Sequence, residues 1–107
     1  MSPITTHVLD TARGRPAAGI GVTLEFESQG DWSKAGSGIT DADGRVRDLL
    51  PSNAGVKPGK YRITFATAAY SAFYPSIEVS FVIEDPSQHY HIPLLLSPFG
   101  YSTYRGS

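Results

Sequence analysis

Cysteine is missing from all 107 residues, which excludes disulfides, zinc–thiolate sites and thiol nucleophiles. A surplus of positive charge is missing too. Nine Lys and Arg stand against ten Asp and Glu, for a formal net charge of −1. Nucleic acid or an anionic membrane as the main partner needs a basic excess, so neither is expected. No apolar run approaches the roughly 18 residues of a membrane span. The opening MSPITTHVLD has no basic stretch leading into an apolar one, and the ending RGS is not an SKL-type peroxisomal address. The expectation is therefore a soluble, cytoplasmic protein, with residues 1–107 forming one domain. Two catalytic signatures are absent as well. No serine lies in a GxSxG elbow, and GRPAAGIG has no GK[ST] with which to cradle phosphate.

What is present is alternation, interrupted by Gly, Pro, Asn and Asp. GVTLEFES sets Val22, Leu24 and Phe26 against Thr23, Glu25 and Glu27; YRITFAT repeats the pattern with Tyr61, Ile63 and Phe65. SIEVSFVI follows with Ile77, Val79, Phe81 and Ile83. A period of two is the pattern of a strand with one buried face. HYHIPLLLS and GYSTY add two further strands, and ITTHVLD and SKAGSGIT two weaker ones, with ARGRPAAG, DADG, PSNAGVKPG and EDPSQ as the turns between them. Seven to eight short strands at this spacing predict an all-β, two-sheet sandwich. TAAYSAFY can hold at most about one turn of helix.

Three features carry chemistry. His89 and His91 are two apart, so on a regular strand they leave the same face, with Tyr90 and Ile92 on the other. With His7 they could be metal ligands, but no acidic residue sits beside them to complete or orient a site. They could also be surface histidines, or His7 and His91 could form an acid/base pair. DADG resembles the opening of a calcium loop, yet the twelfth position counted from Asp41 is not Glu. A tight turn with Gly44 at positive φ is the better reading, and it leaves Arg45 at the turn's exit, where it can be held rigidly over a cleft. The third feature is the chain end. YRGS follows an apolar, aromatic run with no polar tail between, whereas chain ends without a task usually fray.

Taken together, HVLDTARGRPAAGIGVTLE, TDADGRV, GKYRITFAT and SFVIEDPSQHYHIPLLLSPFGYSTYRGS resemble, nearly from end to end, the transthyretin-related family, and within it the 5-hydroxyisourate hydrolases. The terminal YRGS is the signature that sets those hydrolases apart from transthyretin, the hormone carrier. The resemblance implies a transthyretin-like (prealbumin-like) sandwich of two four-stranded sheets, a short helix after the fifth strand, and a homotetramer assembled as a dimer of dimers with active sites between the dimers. It implies catalytic roles for His7, Arg45, His91 and Ser107, substrate contacts from His7, Arg45 and Tyr104, no catalytic role for His89, and no metal or other cofactor. Between TFATAAY and FYPSIEV only Ser71 and Ala72 remain where relatives carry several more residues, so the helix should be reduced or absent.

The implied substrate is the small molecule 5-hydroxyisourate. The implied reaction is hydrolysis of an acyl C–N bond to 2-oxo-4-hydroxy-4-carboxy-5-ureidoimidazoline, in urate degradation. Such a reaction needs a base for water, donors for the developing oxyanion and an acid for the leaving nitrogen. Either His7 or His91 can serve as the base, and the planar fork of Arg45 suits the substrate's carbonyl edge. A non-catalytic, transthyretin-like small-molecule binding protein is the alternative. A structural β-sandwich remains as a third reading.

Overall fold

The computed structural model describes residues 3–51 and 55–106. In chain order the strands are β1 (Ile4–Asp10), β2 (Arg15–Pro16), β3 (Gly21–Ser28), β4 (Asp31–Ile39), β5 (Arg45–Val46), β6 (Gly59–Ala66), β7 (Ser76–Ile83), β8 (Tyr90–Ser97) and β9 (Gly100–Thr103). One sheet runs β2-β1-β8-β9, with β5 also pairing β1; the other runs β4-β3-β6-β7. The two-residue strands β2 and β5 share one edge of β1, β2 opposite Leu9 and Asp10 and β5 opposite Thr6 and His7. The other edge of β1 runs parallel to β8, from Ile4 opposite Tyr90 to Asp10 opposite Leu96.

The core lies where the inner faces meet. Ile4, Val8, Ile92, Leu94 and Leu96 from the first sheet pack with Val22, Leu24, Ile63, Phe65 and Ile77 from the second, all buried. Alternation puts Thr6 on this inner face as well, and its hydroxyl donates to the carbonyl of Ile92 at 2.6 Å, which satisfies a buried polar group. The odd residues of β1, namely Thr5, His7 and Leu9, therefore face outward and are half-buried.

The segment expected to hold at most a turn of helix does that. Ser71 N donates to Thr67 O at 2.9 Å, a single turn, and no helix occurs among the described residues. The Ser71 hydroxyl then donates to the carbonyl of Pro98 at 2.7 Å and accepts from the amide of Tyr74 at 2.9 Å. This shortened loop is thus tied to the β8–β9 turn. Among the described residues no helix is long and apolar enough to cross a membrane.

The loosely patterned SKAGSGIT is part of a longer strand that starts at Asp31. Its register slips between Leu24 and Glu25 of β3, and Gly36 is the residue that lets the Leu49–Leu50 segment close over the sheet. A Cβ at position 36 would fall on the carbonyl oxygen of Leu49, which is backbone and cannot step aside. Gly36→Ala is expected to cost about 1–3 kcal/mol or more, read as a lower urea midpoint. At Gly21 the nearest neighbour of an added Cβ is Ala66 Cβ at an ordinary 3.8 Å, so Gly21→Ala should stay within about 0.5 kcal/mol of the parent.

Candidate active site

Strand register assembles the site. His7 is paired with Arg45 on β5 and with Pro93 on β8, and Thr5 is paired with His91. Residues directly opposite each other in a ladder share a face, and residues two apart on one strand do so too. Thr5, His7, Arg45, His91 and Pro93 thus occupy the outer face of the first sheet, away from the core. Residues 7, 45 and 91, far apart in sequence, are brought together by the two edges of β1.

Arg45 owes its position to the preceding turn. Gly44 has φ of 74°, and its amide donates to the carbonyl of Asp41 at 2.9 Å. Asp41 Oδ1 accepts from the amides of Asp43 at 2.9 Å and Arg45 at 3.0 Å. The Arg45 amide is the main reason the Asp41 carboxyl titrates below its usual range, with the Asp43 amide and Arg47 adding to it against some desolvation. Asp41 therefore shapes the turn, and Arg47 pairs with Asp41 and Asp43 at 3.4 Å each. The Arg45 guanidinium has no ion pair or hydrogen bond among the described residues and is free to meet a ligand.

Thr5, Arg45, Arg47, Asp48, His89 and His91 wall an open cleft of about 500 Å³. His7 is not part of that wall; it stands beside Arg45 on the same face. Thr5 Oγ1 lies 2.8 Å from His91 Nδ1 and 3.0 Å from His89 Nε2. The two imidazoles are near-parallel, 6.5 Å apart, as the spacing of two predicts. His91 titrates below an ordinary histidine. Burial is the largest cause, followed by the positive charges of Arg45, His7 and His89, while hydrogen bonding with Thr5 works the other way. Its neutral form, with a lone pair to offer, thus persists to lower pH. No group of three or more His, Cys, Asp or Glu at metal-binding geometry occurs among the described residues.

The chain end returns to this face. The β8–β9 ladder ends at Leu94 opposite Thr103, where Pro93 has no N–H to continue it. The same register resumes three residues on as a bridge between His91 and Gly106, with the Gly106 amide donating to the His91 carbonyl at 2.8 Å. A Cβ at position 106 would lie 2.6 Å from His91 Cδ2 and 3.4 Å from Pro93 Cγ. Only glycine lets the backbone approach the ring this closely. Ser107 lies outside the described residues. Tyr104 is 58 % exposed and lines a different groove, with Val79, Phe81 and Val82 of β7. A single chain does not bring it to the His91 cleft.

A sequence profile described as the HIUase/Transthyretin family matches residues 4–106. The chain belongs to this family. Among its relatives, a 5-hydroxyisourate hydrolase of Salmonella dublin is 44% identical over 110 residues, covering 97% of this chain and 80% of that protein. The fold of sea bream transthyretin in complex with thyroxine superposes with a TM-score of 0.89 at 31% identity, covering 98% and 95% of the two chains. A 5-hydroxyisourate hydrolase of Klebsiella pneumoniae gives a TM-score of 0.81 at 35% identity over 97% and 98%. The transthyretin and the hydrolase share the family sandwich, so the backbone does not distinguish them. The outer-face side chains must.

Sequence reasoning singled out His7, Arg45 and His91, and the strand register collects those three. It missed Thr5. The signal for Thr5 was weak, because a threonine two residues before a histidine gains meaning only once the partner strand and its register are known.

Proposed function

We propose that the chain hydrolyses 5-hydroxyisourate to 2-oxo-4-hydroxy-4-carboxy-5-ureidoimidazoline, with His7, Arg45, His91 and Ser107 as catalytic groups and no cofactor. The observation that carries this reading is the β5–β1–β8 register, which gathers the Arg45 guanidinium and two imidazoles on one outer face. Thr5 engages His91 Nδ1, leaving Nε2 as the nitrogen that takes a proton from the attacking water. Arg45 offers two parallel donors to the carbonyl oxygen as it becomes an oxyanion. His7, beside Arg45, supplies the proton for the leaving ring nitrogen. The acyl C–N bond breaks, the six-membered ring opens, and the water oxygen ends in the new carboxylate. Ser107 follows Gly106, whose backbone packs against Cδ2 of the His91 ring, and its hydroxyl is the fourth catalytic group of this reading.

The test is direct. Freshly made 5-hydroxyisourate, produced from urate and urate oxidase, should lose its absorbance many times faster with the protein present. Decay at the spontaneous rate, with saturable binding, would instead establish the transthyretin-like carrier reading.

The same reading includes a homotetramer built as a dimer of dimers. Strands β7 and β9 are open sheet edges, and exposed edges invite pairing. Val82, Phe99 and Tyr101 at or near those edges are 60%, 79% and 44% exposed. Phe73 and Phe99, with ring centroids 5.9 Å apart, extend the apolar surface onto the shortened loop. Sedimentation at micromolar concentration is expected to give a tetramer. A monomer would count against the assembly, and a dimer would assign the second contact to the loop. Tyr104, exposed on one chain, reaches substrate only in such an assembly.

A further inference from the structure

We propose that Thr5 is a positioning residue that links His91 to His89 as a proton relay opening to solvent. The proposal rests on the catalytic role given to His91 above. One hydroxyl sits between two imidazole nitrogens at 2.8 Å and 3.0 Å. A threonine hydroxyl has one proton to donate and lone pairs with which to accept. The hydroxyl can accept from both rings at once, or accept from one ring and donate to the other. Two arrangements of the second kind exist, and they leave His91 in opposite states.

In the first, His91 Nδ1–H donates to Thr5 Oγ1, whose proton donates to His89 Nε2. The free nitrogen of His91, Nε2, then carries a lone pair and can act as a base. When Nε2 takes a proton from water, the Nδ1 proton moves to Thr5 Oγ1 and the hydroxyl's own proton moves to His89 Nε2. Two N–H bonds and one O–H bond form as one N–H bond and two O–H bonds break. The positive charge ends on His89, which releases its Nδ1 proton to solvent. His91 is left neutral with Nε2–H outward and its Nδ1 accepting from Thr5, the second arrangement, in which it is an acid. One flip of the relay thus converts the same imidazole from base to acid without leaving a charge buried beside Arg45 and His7. Avoiding that charge matters here, because burial and the neighbouring cations all disfavour a protonated His91. The charged groups facing His91 are Arg45 on β5, His7 on β1 and His89 before β8, with Arg47 and Asp48 also on the cleft wall.

His89 thereby gains a task that sequence similarity did not assign to it. Thr5→Val keeps the shape and removes the hydroxyl; it should lower kcat by about tenfold or more, with KM within about twofold. Thr5→Ser should restore most of the loss. His89→Ala should lose several-fold in dilute buffer, recover when imidazole is added, and cause no further loss in the Thr5→Val background. Independent, multiplying losses at positions 5 and 89, or a Thr5→Ser variant as slow as Thr5→Val, would overturn the relay. A second readout needs no substrate. In ¹⁵N-detected NMR titrations the His89 and His91 rings should titrate as a coupled pair in the parent and separately in Thr5→Val. Unchanged titrations in Thr5→Val would sink the proposal even if the parent hydrolyses its substrate. Should the parent not turn over 5-hydroxyisourate at all, the assigned reaction fails, and the titrations alone decide the relay.

Discussion

Arg45→Ala, His7→Ala and His91→Asn are each expected to lower kcat/KM for 5-hydroxyisourate by about 10²-fold or more, the usual scale for losing an oxyanion donor or an acid/base group. That corresponds to about 2.7 kcal/mol or more of transition-state stabilisation. The fold should survive each change. All three side chains stand on the outer face of the first sheet, and among the described residues Arg45 makes no side-chain ion pair or hydrogen bond whose loss would leave a buried group unsatisfied. Circular dichroism and urea midpoints close to those of the parent would confirm that chemistry alone was removed. The Arg45 variant should also move the pH profile. Arg45 is one of the cations that hold the His91 pKa down, so its removal lets that pKa rise. The neutral, base-competent fraction is then lost at higher pH, and the acid limb of kcat/KM shifts upward. A limb that stays in place would mean that another group, His7 foremost, governs it.

Extending the chain beyond Ser107 should be about as damaging. The Gly106 amide bonds the His91 carbonyl at 2.8 Å, and the ring leaves no room for a Cβ there. Anything attached after Ser107 therefore starts within one residue of the His91 imidazole. A purification tag attached after Ser107 would crowd the cleft. A loss of about 10²-fold in kcat/KM is expected on the scale of a misplaced catalytic group, with little change in thermal stability. Ser107→Ala at an unextended terminus should lose less, since it removes the hydroxyl alone. Gly106→Ala should lose activity as well, by pushing a ring that Thr5 holds from its other side. A tagged protein as fast as the untagged one would remove YRGS from the site.

The sandwich was legible because its strands are half-buried. Val22, Leu24, Ile63, Phe65 and Ile77 alternate with polar neighbours, and every one of them is in the core. The shared face of His89 and His91 followed from the same period of two, and the turn that delivers Arg45 followed from Gly44. What the sequence could not display was pairing between distant segments. The strand β5 is two residues long and has no pattern of its own; it exists because β1 offers an unpaired edge there. The link from Thr5 to His91 spans 86 residues and depends on a parallel register that no local signal encodes. Tyr104 belongs to the same terminal motif, and on one chain β9 leads it to the groove beside β7.

The parallel pairing of β1 with β8 also governs when activity can first arise. A chain is synthesised at about 5–20 residues per second, and His7 and Arg45 leave the ribosome long before His91 does. During that interval β1 has one partner strand still unmade, and the histidine–arginine pair exists without its second imidazole. Contacts between segments so far apart in sequence are costly to close and form slowly. On refolding from denaturant, the spectroscopic signal of the β3–β4–β6–β7 sheet, whose neighbours are joined mostly by short connections, should therefore return ahead of enzymatic turnover. Catalysis in this protein is a late reporter of folding, because the first strand made must wait for nearly the last.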